Sequence, residues 1–361
     1  MSFAKKRSNG YYGVAVYRDK NGKRHQKGAG TFRLKREALA AADKLEQKLG
    51  AIDVELSMMS FADYYQRWYD LYKKNGISDI SRSRYEIFGR EIANYFGNKK
   101  TIDIRRSDYQ GFINQYGANH AYKSVSKLNG AVKACVRSAI DDDIIIKDFT
   151  HVQLVYNKNR EVNVEYLNND EIVRLKNETL KKLSIHNTSR YMILTAIFTG
   201  LRKSEIQALT WNDIDYLHHT ISVTKSWDDA KKTFKDTKTI SSRRTIKVNA
   251  ELLKLLAPLK ANGSTMVFRN QFGTIPTSTA LNKCLRSIMA DCGIKKQGFH
   301  FHSLRHVHVA YLLNHGVDVY AISKRLGHSD ITVTLKTYSY LIDEVKAKND
   351  NLIIDKLSKL I

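Results

Sequence analysis

The sequence predicts a multidomain α+β protein in three parts: a small three-stranded sheet with one helix, an all-α domain, and a mixed α+β domain. Three observations support this fold class. The chain has 361 residues, too many for one ordinary hydrophobic core. Apolar residues alternate near the N-terminus, and they repeat with a helical period over residues 60–149. Both patterns occur beyond residue 167. We expect domains at 1–52, 57–150 and 163–361.

The N-terminal module begins with a strand pattern. Tyr12, Val14 and Val16 alternate with other residues, and Asn21-Gly22 supplies the positive φ angles of a tight hairpin turn. A helical stripe then runs to Gly50 and consists of Leu34, Ala38, Ala41, Leu45 and Leu49. The hairpin carries five cations: Arg18, Lys20, Lys23, Arg24 and Lys27. They form either a solvated basic hairpin or a two-stranded ribbon presented to a DNA groove.

Residues 60–149 have helical patterns throughout. Two apolar stripes indicate core faces: Phe61, Tyr64, Tyr65, Trp68 and Leu71 in the first, and Val125, Leu128, Val132, Val136 and Ile140 in the second. The segment 141–143 is three successive aspartates, which point in different directions and therefore indicate a helix end, not a metal site. The basic residues between the stripes are candidates for a concave binding face: Arg82, Arg84, Arg90, Lys99, Lys100, Arg105, Arg106, Lys123, Lys127 and Lys133.

Residues 151–167 show no clear period and join regions of different pattern, so we expect a linker there. Beyond them, "SRYMILTAIFTG" predicts a buried helix that stops at Gly200. The runs "HTISVTKSW" and "SRRTIKVN" predict strands, and helical patterns return from about Thr277. The third region is therefore predicted to be α+β.

Charge and composition narrow the class of partner. The chain has 60 Lys and Arg against 36 Asp and Glu, a net charge of +24, and a polyanion is the natural partner for such an excess. No window reaches the ~18 apolar residues of a membrane span, and the N-terminus lacks a signal-peptide core. Three cysteines, Cys135, Cys284 and Cys292, fit a reducing cytoplasm. Nucleotide-binding glycine motifs are absent from the sequence.

Arg202, in "TGLRKSE", is predicted to lie at the start of a helix. Unpaired backbone N–H groups and a guanidinium form an anion site at such a position. Glu205, one turn later, can hold that guanidinium.

The stretch "FHFHSLRHVHVA" contains His300, His302, His306 and His308 around Arg305. His302 and His306 have a spacing that zinc can use, but there is no HExxH motif and no nearby thiolate. Packed imidazoles and phosphate handling with Arg305 are the other interpretations. No choice among the three follows from these residues alone.

"LGHSDITVTLKTYSYL" adds His328 and Tyr338 to the candidates. Two arginines that bind nonbridging oxygens, several polar donors and a tyrosine nucleophile can transfer a phosphoryl group without metal. The tyrosine would conserve the bond energy as a covalent phosphoester, while a histidine and a lysine manage protons.

The motifs "TGLRKSE", "HSLRH" and "LGHSDITVTLKTYS" together resemble the tyrosine recombinase family, especially the integrases of phages and conjugative transposons. The resemblance spans essentially the whole chain. It implies that Arg202 and Arg305 clamp the scissile phosphate and that His302 and His328 support the transition state and the proton transfers. Lys238, in "DTKTISSRRTI", matches the lysine that protonates the leaving 5′-hydroxyl, and Glu205 is the orienting acid. His300, His306 and His308 are then expected to be structural.

The same resemblance assigns roles to whole segments. Residues 1–52 resemble an arm-type DNA-binding domain, residues 57–150 a helical core-binding (SAM-like) domain, and residues 163–361 the catalytic domain. It implies a homo-tetramer on double-stranded DNA with arm-type and core-type attachment sites, a DNA-bending accessory protein and an excisionase. Neither a cofactor nor a metal is implied. The expected location is the bacterial cytoplasm, at the nucleoid.

Two positions depart from the family pattern. His328 and Tyr338 are ten residues apart, one more than in many members, and Tyr340 stands where relatives often have histidine. Tyr340 is therefore an alternative nucleophile. Lys235 is likewise an alternative to Lys238, since hairpin loops shift.

The C-terminal tail, residues 341–361, allows two arrangements. The tail either packs on its own domain or docks on a neighbouring protomer, and deleting 345–361 is expected to spare DNA binding but weaken recombination.

Two other functions compete with recombination. One is that of a DNA-binding repressor or architectural protein with a decayed catalytic set. The other is a metal-dependent nuclease or transposase that uses scattered carboxylates and the histidine cluster.

Overall fold

The computed structural model describes residues 2–18, 24–50, 54–161, 165–237, 239–335, 337–338, 354 and 357–359. The predicted turn at Asn21-Gly22, Lys20, Lys23, Lys238, Tyr340 and nearly all of the 345–361 tail lie outside these residues. Two compact units make up the chain, Met1–Glu161 and Val162–Ile361. We describe each by itself.

The first unit begins with the predicted three-stranded sheet. Its antiparallel strands β1 (Phe3–Arg7), β2 (Gly10–Arg18) and β3 (Arg24–Phe32) lie in that order, and helix α1 (Lys35–Gly50) packs on them. A side chain at Gly13 would meet the Ala38 carbonyl oxygen at 2.3 Å, so the glycine lets the helix approach the sheet closely. The predicted sheet-and-helix module is confirmed.

The rest of the first unit is helical, as predicted. It contains α2 (Val54–Met58), α3 (Phe61–Trp68), α4 (Asp79–Phe96), α5 (Arg106–Ala118) and α6 (Tyr122–Asp141). Both predicted stripes reach the core, with one exception: Leu71 is 64% exposed. A π-helical turn over Tyr69–Lys73 follows α3, and the extra residue per turn rotates Leu71 outward while Tyr69 becomes buried.

The second unit is mixed α+β. Its helices are α7 (Asn169–Lys181), α8 (Ser189–Thr199), α9 (Lys203–Gln207), α10 (Ala250–Leu256), α11 (Ser278–Asp291), α12 (Ser303–Asn314) and α13 (Val319–Leu326). Strands β4 (Ile214–Asp215), β5 (Thr220–Val223) and β8 (Arg244–Lys247) form one antiparallel sheet. Strands β6 (Lys225–Asp228) and β7 (Thr233–Asp236) form a separate hairpin. A short helix follows at 331–335.

Helix α8 is the centre of the second unit, in contact with α7, α11 and α12. Apolar residues lie all round this helix, and every residue of it except Phe198 is buried. It ends at Gly200, which has φ 67°, and a side chain there would meet His308 Cδ2 at 2.6 Å. Only glycine satisfies both the left-handed angle and this close approach to α12.

In the described part of the chain, no helix has the length and apolar character that crossing a membrane requires.

Candidate active site

Arg202 and Glu205 are held together where α9 begins. The left-handed turn at Gly200 places Arg202 at the N-cap of α9. The backbone N–H of Arg202 donates to Glu205 Oε2 at 2.9 Å, and its Nη1 donates to Glu205 Oε1 at 2.8 Å. Because the carboxylate is buried while 26% of the Arg202 side chain stays exposed, the pair presents a fixed cation to solvent.

Arg244, on β8, completes the environment of Glu205, and the sequence analysis missed it. Its Nη2 donates to Glu205 Oε2 at 2.9 Å and its Nε donates to the Arg325 carbonyl at 2.6 Å. Burial raises the pKa of Glu205, but the hydrogen bond and charge of Arg244, followed by the charge of Arg202, outweigh it and hold the pKa below its usual range. Glu205 is therefore an anion between two guanidinium groups.

A signal for Arg244 is present in the predicted strand. Alternate residues of a strand share a face, so Arg244 lies on the same face as the buried Ile246, while Thr245 and Lys247 on the other face are exposed. An arginine on the buried face of a strand needs a carboxylate partner.

Arg305 is the most enclosed cation of the site, with 4% of its surface exposed. Nη1 donates to the Gly200 carbonyl at 2.7 Å, and Nη2 donates to the Leu326 carbonyl at 2.8 Å and to His328 Nε2 at 2.9 Å. Burial, followed by the charge of Arg202, lowers its pKa to about 9, so the guanidinium remains protonated at neutral pH. These contacts fix Arg305 between the ends of α8 and α13.

His328 follows Gly327, which ends α13 with φ 70°. A guanidinium can only donate, so His328 Nε2 accepts from Arg305 and its proton must be on Nδ1. Nδ1 donates to Thr334 Oγ1 at 2.7 Å. Burial and then the charge of Arg305 lower the pKa of His328 to about 4, in agreement with a neutral ring. Thr334 is a second residue that the sequence analysis missed.

The histidines around Arg305 have separate surroundings. His302 lies at the surface just before α12, and the partial loss of water around its ring, followed by His306 and Arg305, lowers its pKa. His308 is buried and bridges the Ile197 carbonyl at 2.8 Å and Arg325 Nε at 3.1 Å. His300 Nδ1 lies 2.9 Å from the Gly298 carbonyl. In the described chain, no three His, Cys, Asp or Glu side chains form a metal-ligating group.

Tyr338 is buried, with 1% of its surface exposed. Its ring packs in an apolar cluster formed by Val309, Ala310, Leu313, Ile322 and Leu326. The hydroxyl lies 2.7 Å from His306 Nδ1. Burial raises the pKa of Tyr338, although the charge of Arg305 opposes this effect. The hydroxyl therefore keeps its proton at neutral pH.

The structure thus forms two hydrogen-bonded pairs, Arg202 with Glu205 and Arg305 with His328. Arg305 also donates to the carbonyl of Gly200, two residues before Arg202, so the two pairs are close together. His306, the residue after Arg305, contacts the Tyr338 hydroxyl. Lys238 and Tyr340 lie outside the described residues. Lys235, on β7, is exposed and contacts Asp228 at 3.2 Å.

The predicted DNA-binding cations belong to the first unit. Arg24 is exposed on β3, whereas Lys27 is half-buried, and burial lowers its pKa. Lys27 lines a cavity of about 720 Å³ together with Lys44, Arg105, Arg106 and Lys147.

Comparison with known proteins identifies the family. The profile of the phage integrase family matches residues 165–344, and the profile of the phage integrase N-terminal SAM-like domain matches residues 60–116. A tyrosine recombinase XerC-like protein of Caldanaerobacter subterraneus subsp. tengcongensis is 25% identical, over 93% of this chain and 94% of that protein. The integrase of Staphylococcus phage L54a is 22% identical, over 88% of this chain and 98% of that integrase.

A solved structure has the same fold. The Tn1549 transposon integrase in complex with a circular intermediate DNA matches with a TM-score of 0.69 and 20% identity, over 81% of this chain and 99% of that chain. Fold and sequence agree with the resemblance carried by the three motifs. The chain belongs to the phage integrase family of tyrosine recombinases.

Proposed function

We propose that this chain is a site-specific DNA recombinase that integrates and excises a mobile element or prophage. It cuts one strand per active site and rejoins DNA through a 3′-phosphotyrosyl intermediate. One arrangement carries this proposal: Arg305 is buried beside His328, and the next residue of α12, His306, contacts the Tyr338 hydroxyl. A fixed cation therefore lies next to a candidate nucleophile.

Arg202 and Arg305 bind the nonbridging oxygens of the scissile phosphate. A guanidinium has five N–H donors. In the described chain Arg305 uses three of them, on Gly200, Leu326 and His328, which leaves two for phosphate. Preorganised donors of this kind stabilise the charge that develops in the transition state, usually the largest catalytic contribution. Glu205 keeps Arg202 in place, and His302 presents its exposed edge to the phosphate.

Tyr338 Oη attacks phosphorus, and an Oη–P bond forms as the P–O5′ bond breaks. Lys238 gives a proton to the departing 5′-oxygen. One phosphoester replaces another, so the bond energy is kept and neither ATP nor a metal ion is required. Attack by the 5′-hydroxyl of a second strand reverses these steps and exchanges the strands.

The proposed function also assigns a role in DNA binding or catalysis to each segment of the chain. Residues 1–52 bind arm-type sites through Arg18, Lys20, Lys23, Arg24 and Lys27, residues 57–150 bind core-type sites, and residues 163–361 are catalytic. The chain acts as a homo-tetramer on double-stranded DNA, with a DNA-bending accessory protein and an excisionase. It works in the bacterial cytoplasm, at the nucleoid.

Covalent trapping tests the reaction. DNA from the junctions of the element that carries the gene is nicked so that the cleaved end diffuses away, and it is incubated with protein in EDTA. We expect a DNA-linked peptide at Tyr338, identified by mass spectrometry, in wild type and Tyr340→Phe but not in Tyr338→Phe.

Other outcomes separate the alternatives. An adduct at Tyr340 would keep the reaction but move the nucleophile. Tight, salt-sensitive binding without an adduct would support the repressor, and cleavage only after Mg²⁺ is restored would support the nuclease.

A further inference from the structure

The nucleophile of the proposed reaction needs a proton acceptor. The Tyr338 hydroxyl is buried and keeps its proton, because burial raises its pKa. A neutral phenol is a weak nucleophile, and an adjacent base that removes the proton activates it. The acceptor must lie within hydrogen-bond distance of Oη.

His306 is the group in that position. In the part of the chain that the structure describes, His306 Nδ1 is the one hydrogen-bond partner of Tyr338 Oη, at 2.7 Å. No hydrogen bond joins His302 and Tyr338, both of which are described; the His302 ring instead lies edge-on to His306 at 5.6 Å. The contact therefore favours His306 over His302 as the proton acceptor.

The direction of this hydrogen bond follows from the need of the buried Tyr338 O–H for an acceptor. If Nδ1–H donated to Oη, the tyrosine proton would be left buried with no acceptor among the residues that the structure describes, at a cost of about 1–3 kcal/mol. With the ring proton on Nε2, Tyr338 donates to Nδ1 and both atoms are satisfied. In this tautomer His306 accepts the hydroxyl proton at the start.

We infer that His306 is the general base that takes the Tyr338 proton during strand cleavage and returns it during rejoining. As the Oη–P bond forms and the P–O5′ bond breaks, the Oη proton moves to His306 Nδ1 and produces an imidazolium. The 5′-oxygen leaves with a separate proton. In the reverse step His306 protonates the departing tyrosine oxygen. This inference rests on the proposed function.

The surroundings of His306 keep its ring neutral at neutral pH but make it a weak base before DNA binds. Burial, followed by the charges of Arg305 and His300, lowers its pKa to about 4. The bound phosphate adds negative charge and favours the imidazolium that forms during attack. The groups that face His306 are His302 and Arg305 on or beside α12, Tyr338, and Tyr166, whose ring contacts it edge-on at 5.8 Å.

Single-turnover cleavage of the nicked DNA tests the assignment. His306→Gln keeps a hydrogen-bond acceptor for Tyr338 but cannot take its proton, so adduct formation should slow by about 100-fold or more. His306→Ala should slow similarly and recover when imidazole is added. His315→Ala is the matched control, since His315 is an exposed histidine at the end of α12. Its rate should equal that of wild type.

DNA with a sulfur leaving group distinguishes loss of the general base from loss of the general acid. DNA with a 5′-bridging phosphorothiolate releases a thiolate, which needs no proton. We expect this DNA to restore cleavage by Lys238→Ala but not by His306→Gln. The pH profile gives a further readout: the acid limb should become less steep in His306→Gln, because His302 and His328 still titrate there but His306 no longer does.

Three results would overturn the inference. They are a His306→Gln rate within threefold of wild type, a faster rate than wild type, or rescue of this variant by the sulfur-containing DNA. Melting temperature and DNA affinity equal to wild type exclude a folding defect. Failure of wild type to form any tyrosine adduct would instead reject the proposed function.

Discussion

Arg244 Nη2 and Glu205 Oε2 are 2.9 Å apart, and the two side chains are only 7% and 3% exposed. Two buried charges gain from each other only if both are present, because each has lost its water. This pair therefore links the strand β8 to the helix that positions Arg202. Removal of either member leaves the other with part of its desolvation cost uncompensated.

Arg244→Met should destabilise the second unit by about 3–5 kcal/mol, the usual cost of breaking a buried ion pair. Arg243→Met is the control, since Arg243 and Asp236 are 58% and 87% exposed and such pairs contribute about 0–1 kcal/mol. Urea unfolding of the full chain, followed by hydrogen exchange in peptides of the second unit, measures both. Equal midpoints for the two variants would contradict the prediction.

The Glu205 carboxylate should also make stability depend on pH. Its pKa is lower in the folded chain than its ordinary value near 4.5. Its contribution is therefore complete above that value and is lost as the pH falls through the folded pKa. We expect wild type to be more stable than Glu205→Gln at neutral pH, with a difference that shrinks below about pH 4.5. A difference that grows with acidification would show the opposite sign of the pKa shift.

Gly200→Ala and Gly263→Ala form a matched pair, because both glycines have φ 67° and ψ 12°. Each substitution should cost about 1–2 kcal/mol for the left-handed backbone. Open space surrounds Gly263, whereas a Cβ at Gly200 meets His308 Cδ2 at 2.6 Å and Leu326 Cδ2 at 3.0 Å. Overpacking should add about 1–3 kcal/mol at Gly200 alone. Thermal unfolding of the two variants gives the difference, and identical losses would refute the steric contribution.

Thr334→Val should disturb the tautomer of His328. The substitution removes the acceptor of the Nδ1 proton, and a shift of that proton to Nε2 would point a donor at Arg305. We expect slower covalent cleavage, by about 5- to 150-fold for 1–3 kcal/mol. Nitrogen-15 NMR of the imidazole should show loss of the Nδ1–H form. Thr332→Val, which only removes a contact with Asp330, serves as the control.

Local features of the site could be predicted from sequence, and long-range ones could not. Gly200 ends its helix because of its own backbone freedom, and Arg202 and Glu205 are one helical turn apart, so both relationships depend on neighbours in the chain. Arg244 is 39 residues from Glu205, and only the sheet topology brings it there. The contact between His306 and Tyr338 spans 32 residues in the same way.

The outward rotation of Leu71 had a different origin. A helical stripe assumes a constant period, and the π-helical turn over Tyr69–Lys73 changes that period after Trp68. No local residue type announces such a turn.

Arg305 has a consequence for how this protein can change over evolutionary time. Its guanidinium donates to the carbonyls of Gly200 and Leu326, at the ends of two helices. The residue proposed to bind phosphate therefore also stabilises the fold. A point-like ammonium lacks the planar fork for this geometry, and even Arg305→Lys forfeits it. A descendant that lost strand exchange and became a repressor would thus retain Arg305 for the stability of the fold alone. An intact arginine at this position is therefore weak evidence that a relative is catalytically active.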